Sequence, residues 1–285
     1  MWWLNKILKI STIMICLFSM QNCIAQELFI ISEPASNMPA KALSFRLTDK
    51  FMNGHRHEIS GNNDDVLMHR IVPEIAIGLN KKFNLRLSTF LANYYQSDMQ
   101  LEGFSAYLKY RFFSKDDLHR HFRMAAFSRV SVIDHPIYFR EINLEGDNSG
   151  IYSGLVATQL LHKLALSVTA GHVYTLNNVS FQRPDFIAAN SLNYTLSAGY
   201  LLFPFHYKNY NQPNINLYVE MHGRNSLSAY QTNIYDLFPA LQLILKSYMR
   251  VDLGYRYQLK GNAARNAYSG FLLRFEYNIF NALKY

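Results

Sequence analysis

Ten cationic side chains stand at regularly placed positions along the chain. Arg46, Arg70, Arg86, Lys109, Arg111, Arg123, Arg129, Arg250, Arg256 and Arg274 each occupy a polar position in a segment where apolar and polar residues alternate. Four carboxylates, Glu74, Glu220, Asp252 and Glu276, share the same polar rows. A guanidinium presents several N–H donors in a fixed fork and binds carboxylate or phosphate through two of them. Gathered around one enclosed space, such groups attract and orient anions. The same charges can also pair across neighbouring strands and fill that space, each offsetting the desolvation of the other. The rows admit both an open positive lumen and a packed one.

Other chemistry-bearing residues form weaker patterns. His55 and His57 stand two apart with Met52, Met68 and His69 nearby. Imidazole and thioether suit a soft metal, but two His without a defined third ligand read better as a polar loop, and His119 with His121 reads the same way. Asp147-Asn148 in EGDNSG lacks the full spacing of a calcium loop, so a glycine-rich turn is expected there. Ser128, Ser131 and Ser153, with His135, His172 and His222, belong to no hydrolase motif. No catalytic residue, no metal and no cofactor are expected, and the chain is not read as an enzyme.

The elements that must position the charges are strands. The chain has 285 residues, of which 49% are apolar, 15% aromatic and only 17% charged. Soluble globular domains carry roughly 25% charge. Abundant Tyr and Phe with little charge exclude disorder. From Leu43 onward the apolar residues recur with period 2, the strand signature. Leu43, Phe45 and Leu47 alternate with Ser44, Arg46 and Thr48; Phe271, Leu273, Phe275 and Tyr277 alternate with Leu272, Arg274 and Glu276. About twelve such segments of roughly ten to thirteen residues follow one another, long enough to cross a bilayer when tilted. Short connections near 80–83, 114–120, 162–163 and 246–248 alternate with longer polar ones near 51–66, 96–102, 135–149, 177–190, 224–232 and 261–267. Tyr and Phe gather near segment ends, as at Phe112-Phe113 and Phe203 with Phe205, where amphipathic rings suit the headgroup level. The expected fold class is all-β: an antiparallel up-and-down transmembrane β-barrel of about twelve strands over residues 40–285, its apolar rows facing lipid. Only a closed sheet leaves no backbone group unpaired in hydrocarbon. A soluble β-barrel or sandwich is the rival, with the apolar rows turned inward.

The termini complete the organisation. Lys6 and Lys9, the apolar run Ile10–Met20 and small residues ending at Ala25 read as a secretory signal peptide over 1–25. Residues 26–39, with Pro34 and Pro39, are expected to be a periplasmic lead-in to the barrel. Cys16 and Cys23 both lie in the predicted signal, so no disulfide framework is expected. The remaining positive excess shows no basic run, and nucleic acid is not an expected partner. Phe271 to Phe280 resembles the C-terminal targeting strand of outer-membrane barrels, a likeness that implies recognition by the barrel-assembly machinery.

Four stretches carry a broader resemblance: EPASNMPA (33–40), KYRFFSKDDLHRHFRMAAFSR (109–129), EINLEGDNSG (141–150) and GYLLFPFHYKNYNQPNINLY (199–218). Through them the chain resembles outer-membrane proteins of Gram-negative bacteria and is similar to the phenol-degradation meta-pathway barrel family. The resemblance implies a cell outer-membrane location, contact with outer-membrane lipid and passive passage of small polar, anionic or aromatic solutes. The alternative expectation is a non-conducting barrel that acts as a binding or interaction protein, with an outer-membrane enzyme third.

Overall fold

The computed structural model describes residues 29–57, 63–93, 98–118, 120–205, 212–228 and 231–283, without the side chains of 53–66. The predicted signal peptide and His119 fall outside these residues. Twelve strands run in chain order: β1 (Leu43–His57), β2 (Asn63–Gly78), β3 (Phe83–Ala92), β4 (Gln100–Asp116), β5 (Arg120–Ile133), β6 (Gly150–Leu161), β7 (Leu164–Thr175), β8 (Asn190–Phe203), β9 (Asn214–Ser226), β10 (Asn233–Leu245), β11 (Met249–Gly261) and β12 (Ala267–Ile279). Each pairs antiparallel with its chain neighbours, and β12 pairs with β1 to close the barrel. The expected all-β, twelve-stranded architecture is therefore the observed one.

The alternation sets which side faces out. Along β1, Phe45 and Leu47 are exposed while Ser44, Arg46 and Thr48 are buried. The same holds on β11, two strands away, where Leu253 is 51% exposed and Asp252 is fully buried. A protein whose buried side chains are charged and whose exposed ones are Leu, Val and Phe is turned inside out relative to a water-soluble barrel. That arrangement is stable where the outer medium is hydrocarbon.

Two expectations about connections need correction. The segment near 51–66 is not mainly loop, because the β1–β2 ladder continues through Asn53↔Leu67 to His57↔Asn63. Strand lengths accordingly reach 17 residues, so some hairpins continue well past the length a bilayer requires. The backbone of His55 and His57 belongs to β1; their side chains lie outside the described residues. Pro73 and Pro239 stand inside strands, and the β2–β3 and β10–β11 pairings skip those positions, as expected of a residue with no N–H to donate.

The larger correction concerns the lead-in. Residues 29–39 do not precede the barrel but run inside it. Phe29 and Ile30 pack against Ala165, Tyr218, Ala240 and Leu272, and Ala35 against Tyr107, Ala125, Phe127 and Val156. The reason is volume. Eight strands enclose a space that side chains fill, and larger barrels leave a lumen; here a chain segment fills what the wall leaves. It enters β1 through a tight corner in which Lys41 N–H donates to Gly78 O at 2.7 Å and Gly78 N–H to Ala42 O at 3.0 Å. A Cβ at residue 78 would stand 2.0 Å from the Pro39 carbonyl oxygen, so only glycine fits. From the other end, the connection after β5 folds back inward, burying Ile137, Ile142 and Leu144 against Val173, Ile187 and Ala188.

The outward rows make a direct test. Leu253→Arg places a cation on the hydrocarbon-facing wall and is expected to cost about 2–4 kcal/mol near the bilayer midplane. Urea unfolding in phospholipid vesicles checks this; an unchanged midpoint would mean that the row does not face lipid.

Candidate functional site

The inward rows converge on two segments that are not part of the wall: residues 29–36 on the short-turn side and residues 134–149 on the long-loop side.

Residues 29–36 are held mainly by polar contacts. The Glu220 carboxylate, fully buried on β9, accepts three successive backbone N–H groups: Ile30 and Ile31 at 2.9 Å each and Ser32 at 2.8 Å. Successive amides turned toward one anion form a nest. Ala35 N–H donates to Thr158 Oγ1 at 2.9 Å. Lys109 Nζ donates to the Pro34 and Ser36 carbonyls at 2.8 Å each, and Arg123 to Ser36 Oγ at 2.9 Å. Arg274 reaches the Phe29 carbonyl at 3.3 Å. Glu33 is the one charged side chain of this stretch, and it meets Arg86, Arg46 at 3.3 Å and Lys109 at 3.6 Å. Burial by itself would raise its pKa, but Arg86, Lys109 and Arg46 outweigh burial and hold it well below the usual carboxylate range.

Behind this segment the wall charges pair with one another. Arg46 meets Glu276 at 2.8 Å and Glu74 at 3.5 Å, and Arg250 also pairs with Glu276. Glu74 accepts from Ser88 at 2.8 Å. Asp252 accepts from Gln242 at 2.7 Å and Tyr218 at 3.3 Å. Such charge pairs are costly to break, because the partner left behind remains buried.

Three of the four carboxylates in residues 134–149, Glu141, Glu145 and Asp147, pair with cations across the lumen. Arg70 meets Glu102 and Asp147 at 2.8 Å each and also donates to the Gly146 carbonyl at 3.2 Å. Gly146 has φ of +108°, and a Cβ there would lie 2.7 Å from the guanidinium; glycine serves both the backbone conformation and the close approach. Glu145 bridges Lys50 at 2.6 Å and Arg129 at 2.7 Å. Glu141 meets Arg224 and Arg265, the latter at 2.7 Å, and Arg265 continues to Asp236 at 2.6 Å. In each case burial works to raise the carboxyl pKa and the facing cations win. Glu145 is held well below its ordinary value by Lys50 and Arg129, Asp147 is lowered by Arg70, and Glu141 falls to about 2 beside Arg265, Arg224 and Arg256.

Between the two segments lies a cavity of about 110 Å³ lined in part by Ile31, Glu33, Tyr107, Phe127, Arg129, Tyr152, Tyr194 and His222. A smaller one of about 30 Å³, bordered by Glu33, Arg46, Glu74, Arg86 and Arg274, lies against Val72 and Phe90.

Of the expected luminal residues, Arg46, Arg70, Arg86, Lys109, Arg123, Arg250, Asp252, Arg256, Arg274, Glu220 and Glu276 are buried inward, and Glu74 and Arg129 join the same networks. Arg111 is the exception. It stands in the row, opposite the buried Ala125, but at the short-turn end just before a register shift, where it is only partly buried and donates to the Lys81 carbonyl in the β2–β3 turn at 2.8 Å. The expected surplus of cations over acids in the strands is real, but it is met by residues the strand pattern could not show: Glu33, Glu141, Glu145 and Asp147. The signal available was the imbalance itself, which demands anions from elsewhere in the chain.

Of the other candidates, Ser131 and His135 bind the segment 134–149, and His222 lines the central cavity 3.7 Å from Glu220. Ser128 and Ser153 hydroxyls share a hydrogen bond of 2.9 Å, Ser131 donates to the Leu144 carbonyl at 2.7 Å, and the His135 ring nitrogens contact the Pro136 and Gly146 carbonyl oxygens at 2.7 and 2.6 Å. Ser153 stands opposite His172, where His172 is exposed on the outward face. Among the described residues no group of three or more His, Cys, Asp or Glu side chains is arranged to hold a metal ion.

No family model matches the chain and no curated protein does. Solved structures do. The COG4313 outer membrane channel from Pseudomonas putida F1 superposes with a TM-score of 0.59 at 8% identity, covering 88% of this chain and 100% of that one. The KdgM porin matches at 0.48 and 12% identity over 83% and 98%, and the CymD monoaromatic hydrocarbon channel at 0.41 and 12% over 89% and 94%. At such identities the likeness is one of fold: the chain has the barrel architecture of outer-membrane channels.

Two outcomes follow from the loop-side networks. Arg265→Met strands Glu141 and Asp236 without their shared cation and is expected to destabilise the protein by about 3–5 kcal/mol, read from denaturant unfolding; a loss below 1 kcal/mol would mean that water already screens the pair. The second concerns pH. Carboxyls whose folded pKa lies below the unfolded value give a stabilisation that is complete above the unfolded value and lost as pH falls through the folded one. For Glu141 that window runs from 4.5 down to about 2, and Glu145 and Asp147 shift in the same direction. Hydrogen exchange, corrected for its intrinsic pH dependence, should show residues 134–149 losing protection across that window while the strand ladders keep theirs. Constant loop protection down to the lower limit would refute the electrostatic anchoring.

Proposed function

We propose that the protein is an outer-membrane channel of the cell, closed at rest by residues 29–36, which admits small polar or anionic solutes, aromatic ones included, when that segment withdraws. The observation that carries this reading is the position of the segment. It lies within the lumen without joining the strand ladder, and its backbone is bound by wall side chains shaped to receive it. A barrel meant to be solid needs only larger inward side chains. A barrel that spends a buried glutamate and several hydroxyls on gripping a separate strip of chain is built around something separable.

The inward-facing cations support anion preference, since withdrawing the segment removes Glu33 and leaves the wall more positive. The resemblance to the phenol-degradation meta-pathway barrel family fits the same reading. The exposed apolar rows support contact with outer-membrane lipid, and the final strand is the part of the chain that the assembly machinery would engage. We assign no catalytic role: the clustered charges are engaged in binding chain segments. The second reading, a non-conducting barrel, draws on the dense pairing of Arg70, Arg265 and Glu145 on the long-loop side.

Planar-bilayer recordings separate the two. The intact protein is expected to show small, infrequent openings. Deleting residues 29–36, or changing Glu220→Gln so that the nest loses its anion, should raise open probability at least several-fold, with anions favoured. A deletion variant that folds, judged by its heat-modifiable migration, yet passes no current would overturn the channel in favour of the non-conducting barrel.

A further inference from the structure

We propose that the cation cluster closed by Glu33 is a binding site for a small organic monocarboxylate, and that such a solute opens the barrel by taking the place of the Glu33 side chain. The proposal rests on the stopper reading above and names the solute that would act on it.

Three cations from three strands converge on one carboxylate that the wall does not supply. Arg46 on β1, Arg86 on β3 and Lys109 on β4 all meet Glu33. Their arrangement does not depend on Glu33 alone. Glu74 on β2 stands 3.5 Å from Arg46 and 4.0 Å from Arg86, and Glu276 holds Arg46 from the other side at 2.8 Å. The Arg46 and Arg86 part of the cradle is thus held by wall carboxylates, while Lys109 also grips the Pro34 and Ser36 carbonyls of the segment; a pre-placed pair of guanidiniums binds whichever carboxylate is delivered to it at little ordering cost. Withdrawing Glu33 removes the carboxylate that all three cations share. A neutral solute cannot replace it, whereas an incoming carboxylate can, through the same charge-assisted contacts.

The neighbouring space defines the rest of the solute. The cavity of about 110 Å³ beside Glu33 has an aromatic side, formed by Tyr107, Phe127 and Tyr152, and a polar side that includes Arg129, Asn193 and His222. Arg86 and Arg129 each lie 5.7 Å from the centre of the Tyr107 ring, which ties the cation cluster to the aromatic wall. Cavities of about 150 Å³ accept a benzene ring, and the volume vacated by the glutamate side chain adds to the space here. The fitting solute has one carboxylate head and a small, flat, apolar body. Because it binds only where Glu33 has left, it shifts the population toward the open state by its preference for that state.

The test uses the full chain in phospholipid vesicles with sodium benzoate as probe, and sodium chloride and benzyl alcohol as controls. Ile31→Cys, with serine at positions 16 and 23 where the purified chain retains them, reports withdrawal of the segment through its rate of reaction with a membrane-impermeant thiol reagent. Conductance of the unsubstituted protein is recorded in parallel and needs no variant. Benzoate is expected to raise both saturably, by about tenfold, the equivalent of one charge-assisted contact; chloride and benzyl alcohol should leave both unchanged. Glu33→Gln should raise the basal values and abolish the benzoate response. An equal response to benzyl alcohol would overturn the carboxylate site, and so would conductance that rises in Glu33→Gln while benzoate has no effect on the native chain; in the latter case the channel reading stands. Benzoate-dependent labelling with no current in any variant would uphold the site and overturn the channel.

Discussion

The structure depends on one constraint: guanidinium groups enclosed by a hydrocarbon-facing wall must meet carboxylates. A cation inside a barrel cannot leave its medium, and burying it without a counter-charge costs several kcal/mol. The strands bring more cations than acids to the interior. Glu74, Glu102, Glu220, Asp236, Asp252 and Glu276 are the wall's own answer, and the remainder comes from Glu33 on one side and Glu141, Glu145 and Asp147 on the other. The two inward segments are therefore not incidental fillers. They complete a charge balance that the alternating strands leave open, and they are drawn into the lumen by the same residues that line it.

This explains why the fold was legible in the sequence while the interior was not. Period-2 rows such as Leu43, Phe45 and Leu47 report which side a residue takes, because the side-chain repeat of a strand is fixed by its geometry. Strand number, closure and the inward position of Arg46, Lys109 or Glu276 all follow from that repeat. Nothing periodic marks Glu33 or Glu145, whose partners lie far away in the chain: Arg86 is 53 residues from Glu33, and Lys50 is 95 from Glu145. Arg111 shows the limit from the other side. It obeys the alternation and stands opposite the buried Ala125, but the register shift just after it ends the row at the short-turn rim. Local pattern sees the row and misses the irregularity that ends it.

The lead-in expectation failed for a related reason. EPASNMPA has two prolines, small residues and little apolar content, and so reads as a solvated connector. Small residues and prolines also suit a chain that must thread a confined space without forming its own ladder. Its backbone donors and acceptors find Glu220, Thr158 and Lys109 in place of a neighbouring strand. Buried backbone must be paired with something, and here the wall side chains do the pairing.

The two inward segments differ in how they are held, and that difference decides which of them moves in the proposed channel. Of the four carboxylates in residues 134–149, three, Glu141, Glu145 and Asp147, each face at least one wall cation, and the segment shares an apolar cluster with Val173 and Ile187. Asn178 adds a bond from its side chain to the His135 carbonyl at 2.8 Å, and Ser149 N–H donates back to Asn178 at 2.7 Å. Releasing this loop means separating several buried ion pairs at once. Residues 29–36 present one carboxylate, Glu33, and otherwise bind through backbone amides and carbonyls, the Ser32 and Ser36 hydroxyls and the apolar side chains of Phe29, Ile30 and Ala35. Amide contacts are individually modest, about 0.5–1.5 kcal/mol for neutral partners and more toward a charged one, and water can replace them as the segment leaves. The single charge is the part that water replaces poorly. A segment fastened by many replaceable contacts and one irreplaceable charge is the element whose release a competing anion can control.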